Sequence, residues 1–347
     1  MDFVDWSNSK AKEFIYIAIC LCTPSVVLYI AEIVTVIRHQ KYHNSFYALF
    51  VIRASTDLLY ILDMFYSYRL PYILGGVLFP LYSLLPNWML ALATFLGGYT
   101  FEANNLATIF ILLNRLSAIA IPLKHEKLWQ KFLPSITFIV YASPIITRWP
   151  AFKMDAHLLI LDANSTSFIL TEAGEAPYNM HFLTLNAVFS VIFMTLCVLI
   201  NIGTLVAYKR HVKKRALTKG NGTDEIERKL LVYSVATFFG HALVSCLFIS
   251  VLTSTLIHKP KVTTALLAFS PVVLDICTVV LSSWLLLWAS GTFRQQLIND
   301  FGIMRYIKQS NIRVGPMEVL RMIKPRPMGD VIAHESQKKK CWRYAAI

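Results

Sequence analysis

Several polar or ionisable side chains fall inside stretches of this sequence that are otherwise long and apolar, and six of them could do chemistry together. Charged groups at membrane depth are costly, so side chains of this kind face one another or a wet cavity and not lipid. Their positions therefore predict a shared polar network or ligand pocket inside a helical bundle. They are Arg53, Asp57, Glu102, Asn105, His241 and Asp275.

These side chains admit a packing role and a functional role. Arg53 and Asp57 stand at i and i+4, so they can pair along one helix face, and for them we favour a hydrogen-bond network that fixes helix packing. For Glu102 and Asp275 that role and a functional one stay equally open. The functional role would be a ligand counter-ion, an ion site or a proton relay.

Other kinds of chemistry find little support. His39 and His43 stand four residues apart, but two imidazoles do not complete a metal site. No HExxH, Gly-rich phosphate loop or GxSxG nucleophile occurs, so we predict no enzyme, no metal and no cofactor. The net charge of +13 comes with basic residues clustered beside apolar stretches, which favours cytoplasmic loops and anionic lipid over nucleic acid.

The apolar stretches predict the fold class. Of the 347 residues, 56% are hydrophobic and only 15% are charged, and the mean hydropathy is +0.54. We predict an all-α integral membrane protein with seven transmembrane helices in residues 14–289. The third, proline-free and roughly 50 Å long at 1.5 Å per residue, would be the hub. The predicted spans are Phe14–Ile37, Phe46–Tyr66, Trp88–Ile121, Phe132–Ile146, His181–Tyr208, Leu230–Ile257 and Val262–Ala289.

The loops predict the orientation. One alternate set holds fourteen Lys and Arg residues, and the other holds five: Arg69, Arg148, Lys153, Lys259 and Lys261. The excess places the first set in the cytoplasm and residues 1–13 outside, in the plasma membrane. Asn164 begins an Asn-Ser-Thr sequon in the largest outer loop and is a candidate glycosylation site. The spacing of apolar and basic side chains in residues 290–310 predicts an amphipathic helix along the inner membrane surface. A basic tail, residues 311–347, follows it.

One segment carries a family resemblance. Asn114-Arg115, with Pro122 beyond, is similar to the segment that ends the third helix of rhodopsin-like receptors. The longer string LNRLSAIAIPLKHEKLWQKFLP, with Arg53 and Asp57, resembles the nematode serpentine receptor class gamma family of chemoreceptors. The resemblance implies a neuronal plasma-membrane receptor for sensory perception, coupled to a heterotrimeric G protein. Asn114 stands where the wider superfamily has an acid, so an adjacent acid–Arg lock is absent.

The sequence thus favours a chemoreceptor for a small-molecule or pheromone-like ligand. Arg115 and the basic loop 209–229, with Lys213, Lys214 and Arg215, would form a surface for the acidic patches of a G protein. We expect the Arg115 side chain to snorkel to water. An ion- or proton-coupled transporter is the alternative, since midplane carboxylates also serve coupling. A non-signalling escort subunit is a third possibility.

Overall fold

The structure, a computed structural model, describes residues 10–162, 165–174, 176–216 and 224–302. Seven long helices and one short helix follow one another in these ranges. The second and seventh helices each contain a π-helical turn. The helices are α1 (Ala11–Arg38), α2 (Ser45–Met64, π-turn Phe65–Arg69, Leu70–Tyr82), α3 (Asn87–Ala120), α4 (His125–Arg148), α5 (Pro177–Ala216), α6 (Asp224–Leu256), α7 (Pro260–Leu274, π-turn Asp275–Val280, Leu281–Ala289) and α8 (Gly291–Phe301).

Within the described ranges, five helical stretches are long and apolar enough to cross a membrane, judged by length and composition alone. They are Lys12–Arg38, Asn87–Ala120, Pro177–Arg210, Val235–Leu256 and Pro260–Ala289. The long helices α2 and α4 are not among them. Both carry charged side chains, including Arg53 and Asp57 in α2 and Lys127 and Lys131 in α4.

The third helix lies at the centre of the bundle. It packs against α2, α4, α5 and α6, while α1 packs against α2 and α7. Its buried positions are largely small or polar, among them Ala103, Asn104 and Ala107. Small residues let neighbouring helices approach closely, and polar ones supply hydrogen bonds between them. The described part of α3 therefore occupies the hub position that its length and its polar middle predict.

Each π-helical turn lies next to a proline. Pro71 follows the turn Phe65–Arg69, and Pro271 precedes the turn Asp275–Val280. Because proline has no N–H and its ring clashes with the carbonyl four residues back, the helix must rearrange its hydrogen bonds nearby. The turns also change which side chains face the bundle, and each contributes one charged residue to the core, Arg69 and Asp275.

The connection between α4 and α5 corrects the all-α prediction, since it folds as a β-hairpin. Strand β1 (Ala156–Asp162) pairs antiparallel with β2 (Ser165–Glu172), with Leu158 opposite Leu170. Strand β1 is rich in Leu and Ile, β2 has Phe, Ile and Leu at its centre, and a hairpin can bury one face against the helices while the other faces outward. Phe168 is fully buried and meets the Tyr82 ring edge-on at 5.2 Å between centroids.

Several predicted boundaries are also too short. The second helix continues past Tyr66 to Tyr82, because the π-turn lets it accommodate Pro71 instead of ending there. The fourth runs from His125 to Arg148 and tolerates two internal prolines. Helix α5 continues to Ala216, into the segment predicted as a basic loop. Of the predicted surface helix 290–310, the described part is α8, and residues from 303 onward lie outside the described residues, as does Asn164.

Candidate functional site

A buried network at mid-depth in the bundle joins five helices. Asp57 of α2 is its central acceptor and is fully buried. It accepts a hydrogen bond from the Tyr29 hydroxyl of α1 at 2.8 Å and another from the Asn104 amide of α3 at 2.5 Å. The carboxylate is thus held by neutral donors from two other helices.

Arg53 extends the network to α6 and α7. Its Nη2 donates to Ser282 Oγ at 2.5 Å and lies 3.1 Å from His241 Nε2. Because a guanidinium only donates, Nε2 must accept, and the His241 proton is then on Nδ1. That Nδ1 lies 3.0 Å from Asn105 Oδ1, which can accept from it. These hydrogen bonds link α2 to α6 and α7 and, through His241, to α3.

The Arg53–Asp57 contact itself is loose. Arg53 Nε stands 3.9 Å from Asp57 Oδ2, and both side chains are 0% exposed. That distance is beyond a hydrogen bond, so the attraction is a charge–charge interaction within a network of shorter neutral contacts. The two residues face each other at i and i+4, as their spacing predicts.

Two further buried ion pairs correct the assignment of Arg69 and Arg148 to outer loops. Arg69 pairs with Asp275, and Arg148 pairs with Glu102. All four side chains are at most 4% exposed. Since an unpaired acid at membrane depth is costly, each carboxylate takes the arginine that lies nearest to it on a neighbouring helix. The other three cations of that predicted set, Lys153, Lys259 and Lys261, are not part of these pairs.

The Glu102–Arg148 pair joins α3, α4 and α5. Glu102 Oε1 lies 2.5 Å from Arg148 Nη2 and 2.7 Å from Nε, and Oε2 accepts from the Thr147 hydroxyl at 2.5 Å. Arg148 Nη2 also donates to Asn186 Oδ1 of α5 at 2.6 Å. A Cβ on Gly98 would stand only 2.6–2.7 Å from the Arg148 side chain, so the glycine leaves the room that this arginine needs.

A small cavity lies above the network, between α2, α3, α6 and α7. Only about 10 Å³ of it is open to the centre of a water-sized sphere. Tyr60, Asn104, Asn105 and His241 form its polar wall. Pockets for drug-sized ligands are about 300–1,000 Å³, so this bundle must open before an organic molecule can enter here.

At the end of the bundle where α2 begins, Asn114 binds the first residue of that helix. Its Nδ2 donates to Ser45 Oγ at 2.9 Å. Glu126 of α4 accepts from Ser45 N at 2.9 Å and from Ser45 Oγ at 2.8 Å. A carboxylate at a helix N-terminus satisfies a free N–H and complements the helix dipole. The acid at this end therefore caps α2, and Asn114 belongs to that cap.

Arg115 differs from the snorkelling side chain that we expected. Its guanidinium carbon lies 3.4 Å from the centre of the Phe46 ring, and within the described residues its Nε has no hydrogen-bond partner. The side chain folds back over the aromatic face because that face attracts a cation. It is partly exposed and has no acid partner among the ion pairs of the described residues.

Helix α8 is docked on the connection between α1 and α2. His39 Nε2 lies 2.8 Å from Asp300 Oδ2, and Gln296 Nε2 donates to Asp300 Oδ1 at 2.8 Å. Tyr47 stacks on the buried Phe293 ring. Burial alone would raise the pKa of Asp300, but the hydrogen bonds from Gln296 and His39 outweigh it and hold that pKa below its usual value.

The remaining predicted site residues are not brought into this core. Pro122 lies exposed in the turn between α3 and α4. Helix α5 includes Lys213, Lys214 and Arg215, but their side chains lie outside the described residues. Among the residues that the structure does describe, no group of three or more His, Cys, Asp or Glu side chains is placed to hold a metal ion.

Sequence reasoning missed several participants. Tyr29 and Ser282 have no signal of their own in an apolar helix. Arg69 and Arg148 do have one, because Glu102 and Asp275 each require a cation at the same depth, and the arginines at the ends of the second and fourth predicted spans are the nearest candidates.

Comparison with known proteins identifies a family model and several relatives. Residues 15–297 match the family model described as Srg family chemoreceptor. Serpentine receptor class V-1 of Caenorhabditis elegans is 24% identical over 199 residues, which are 56% of this chain and 62% of that protein. Serpentine receptors class gamma-5 and class gamma-16 of the same organism are 25% and 26% identical, over 36% and 43% of this chain. The matches span only 41% and 45% of those two relatives.

Proposed function

This chain belongs to the Srg family of chemoreceptors, and on that premise we propose that it is a G-protein-coupled receptor of the plasma membrane. A small-molecule or pheromone-like ligand would bind from outside, and a heterotrimeric G protein would be activated inside. The observation that carries the proposal is the network around Asp57 and Arg53, which joins α1, α2, α3, α6 and α7 at mid-depth. A rearrangement of any one of these helices must break or exchange its contacts.

The topology that we propose has seven spans, with the N-terminus outside and the C-terminus in the cytoplasm. The Lys/Arg asymmetry of the loops supports it. The β-hairpin and Asn164 would then face outward, while α8 and the Glu126 cap would face the cytoplasm. An epitope tag before Met1 should stain on intact cells, and Asn164→Gln should remove a glycosidase-sensitive shift in mobility. A tag that stains only after permeabilisation would overturn the topology.

The mechanism follows from a two-state bundle. A ligand can shift the bundle only by its differential affinity for the two states. The cavity lined by Tyr60, Asn105 and His241 is too small for an organic molecule, so a ligand that enters there must stabilise a state in which α6 and α7 lie farther from α3. Since His241 and Ser282 both bind Arg53, that movement would be transmitted to α2.

The partner surface that we propose is the inner end of α3, α5 and α6, with Asn114, Arg115, Pro122 and the basic residues 213–215. In the described state Arg115 is held on Phe46. In the active state it would swing to the partner, whose backbone carbonyls or carboxylates suit its five donors. The cation–π contact is worth about 0.5–2 kcal/mol, so releasing it changes a two-state equilibrium by about 2- to 30-fold.

The test compares three variants by surface labelling and second-messenger output in the same cells. Arg115→Ala should reach the surface in near-normal amounts and give little output, and Arg115→Lys should recover part of that output. Phe46→Leu keeps an apolar side chain but removes the ring face, so it should raise basal output. Full signalling by Arg115→Ala would refute the role, and so would surface loss in proportion to signal loss.

One observation favours the transporter alternative. Glu32 and Asp63 are at most 2% exposed, and within the described residues their carboxyl oxygens have no hydrogen-bond partner. Buried carboxyls of this kind can carry protons in coupled transport. A transporter would acidify the cytoplasm when its substrate is added, and Glu32→Gln would abolish that signal. A receptor would give a second messenger with no such acidification.

A further inference from the structure

Three lysines form a stripe along the first turns of α4. Lys124 is the N-cap residue, and Lys127 and Lys131 follow at spacings of three and four residues, so all three lie on one face of the helix. All three are exposed, and none belongs to an ion pair among the described residues. Like charges one helical turn apart repel each other, so an anion between them would stabilise this face.

The acid of this helix is already occupied. Glu126 is the single acid in the sequence of α4, His125–Arg148. Its carboxylate accepts from Ser45 N at 2.9 Å and from Ser45 Oγ at 2.8 Å, and it also accepts from Gln130 Nε2 at 3.1 Å. The charge that neutralises the lysine stripe therefore comes neither from α4 nor from the ion pairs of the described residues.

An open groove of about 660 Å³ continues from the stripe along the same helix. Its lining residues lie within 133–145, a length of about 18 Å at 1.5 Å per residue. Three of them, Pro134, Phe138 and Ile145, follow Lys131 at successive spacings of three, four and seven residues. The groove therefore lies on the face that contains the lysines, and its volume is in the range of about 300–1,000 Å³ that organic ligands occupy.

The groove suits a hydrocarbon chain. The Thr137 hydroxyl donates to the Leu133 carbonyl at 2.8 Å, and the Tyr141 hydroxyl lies 2.7 Å from Ser55 Oγ of α2. The polar side chains of the lining thus already have partners within the protein. An occupant needs no hydrogen bond from the other lining residues, which are apolar: Leu133, Pro134, Phe138, Ala142 and Ile145.

Exposed apolar side chains lie beside the lysines. Leu128 and Phe132 each follow a lysine directly, and both are exposed. This mixture is typical of a helix segment at a membrane–water interface, where lysine stems run along apolar surface and their ammonium groups reach the headgroups. In the proposed topology the interface here is that of the cytoplasmic leaflet, which contains anionic lipids.

We propose that α4 contains a binding site for one anionic phospholipid. Its headgroup lies between Lys127 and Lys131, and one acyl chain lies in the groove formed by residues 133–145. The order of the two parts matches the lipid, because the cationic part lies at the interface and the apolar part lies deeper in the membrane. The site rests on the proposed function only through the topology, in which α4 crosses the membrane.

Photolabelling of the purified full-length chain in nanodiscs of phosphatidylcholine tests the site. One sample contains a trace of phosphatidylserine with a diazirine in its acyl chain, and the matched sample contains phosphatidylcholine with the same chain. Phosphatidylserine should label residues 133–145 about 25-fold more, since each of the two lysines contributes about fivefold near an anionic headgroup. Equal labelling by both lipids would overturn the site and leave α4 in the membrane. No labelling by either would overturn the membrane crossing of α4 and the site with it.

Three variants separate the headgroup, the acyl chain and general charge. The double variant Lys127→Gln/Lys131→Gln should reduce the labelling ratio to about one, which removes the preference derived above. The matched control Lys259→Gln/Lys261→Gln removes the same charge from another exposed pair and should leave the ratio unchanged. Ala142→Phe fills the groove with both lysines in place and should lower the labelling by phosphatidylserine toward that by phosphatidylcholine.

A soluble competitor distinguishes a lipid site from a site for the headgroup alone. Glycerophosphoserine has the headgroup without acyl chains, so an excess of it should leave the labelling unchanged. Loss of labelling with this competitor would contradict the role of the groove. An unchanged ratio in Lys127→Gln/Lys131→Gln, or an equal loss in the control pair, would contradict the role of the lysines.

Discussion

Loss of either partner of the Glu102–Arg148 pair should destabilise the bundle strongly, and loss of both should cost less than the sum. Glu102→Leu leaves a guanidinium that is 1% exposed without its carboxylate. Breaking a buried pair in this way costs about 3–5 kcal/mol, whereas replacing both partners by apolar side chains is often close to neutral. The double variant Glu102→Leu/Arg148→Met should therefore be more stable than either single variant.

The magnitude of the coupling follows from the contacts. Two contacts of 2.5 and 2.7 Å join Glu102 Oε1 to Arg148. A hydrogen bond to a charged group contributes about 1.5–3 kcal/mol, so the interaction energy of the double-mutant cycle should be about 3 kcal/mol or more. Thr147→Val is the matched control. It removes only the hydroxyl that donates to Oε2 and should cost about 1 kcal/mol.

A thiol-reactive dye can follow thermal unfolding of the purified protein, because Cys22, Cys197 and Cys277 are free and buried. At roughly 2–4 °C per kcal/mol, each single variant should lower the midpoint by roughly 6–20 °C, and Thr147→Val by only about 2–4 °C. Strictly additive losses would refute the pairing. So would a Glu102→Leu protein that melts within about 2 °C of the unchanged chain, the scale of a surface substitution.

Three further predictions concern Gly98, Asp57 and Asp300. Gly98→Ala should disturb the Arg148 pair and lower the melting midpoint. Gly97→Ala is the control and should be tolerated, because its Cβ would meet its nearest neighbour at an ordinary 3.4 Å. Equal melting midpoints for the two variants would contradict the close approach of Arg148 to Gly98. Asp57→Ala should reduce the amount of protein at the cell surface more than a double variant that also removes Arg53. A double-mutant cycle built from the surface amounts checks this prediction. Strictly additive losses would mean that the two residues act independently. The pKa of Asp300 is lowered in the folded chain. The stabilisation that Asp300 contributes is therefore fully present above the ordinary Asp pKa of about 3.9 and is lost as pH falls through the lower folded value. The mobility of a spin label on α8 should stay constant from pH 7 to about 5 and rise only in stronger acid.

Much of the bundle follows from pattern alone. Long apolar stretches predict the helices, and a proline-free segment with a polar middle predicts the central α3. The placement of Arg53 and Asp57 on one face of α2 requires nothing beyond their spacing. The family resemblance carried by the segment after Asn114 is confirmed by a match across residues 15–297.

The rest depends on tertiary contacts that have no local signature. The continuation of α2 past Pro71 requires a π-turn, which propensity does not anticipate, and the buried Arg69 lies in that turn. The hairpin requires Phe168 to find Tyr82 of another segment. The place of Arg115 over Phe46 depends on the distance between α2 and α3. The hydrophobic periodicity of a single helix does not determine any of these distances between segments.

The two π-helical turns have a consequence for sequence alignment. Each fits one more residue into a helical turn than a regular α-helix does, and one residue corresponds to a rotation of about 100° around the axis. A relative with a regular helix at either position would need a one-residue gap inside a membrane helix, where alignments normally forbid gaps. Without that gap, every position of α2 beyond Arg69 would be compared with a residue on the wrong face. Comparisons of ligand-binding positions between relatives should therefore be indexed separately on each side of Phe65–Arg69 and Asp275–Val280.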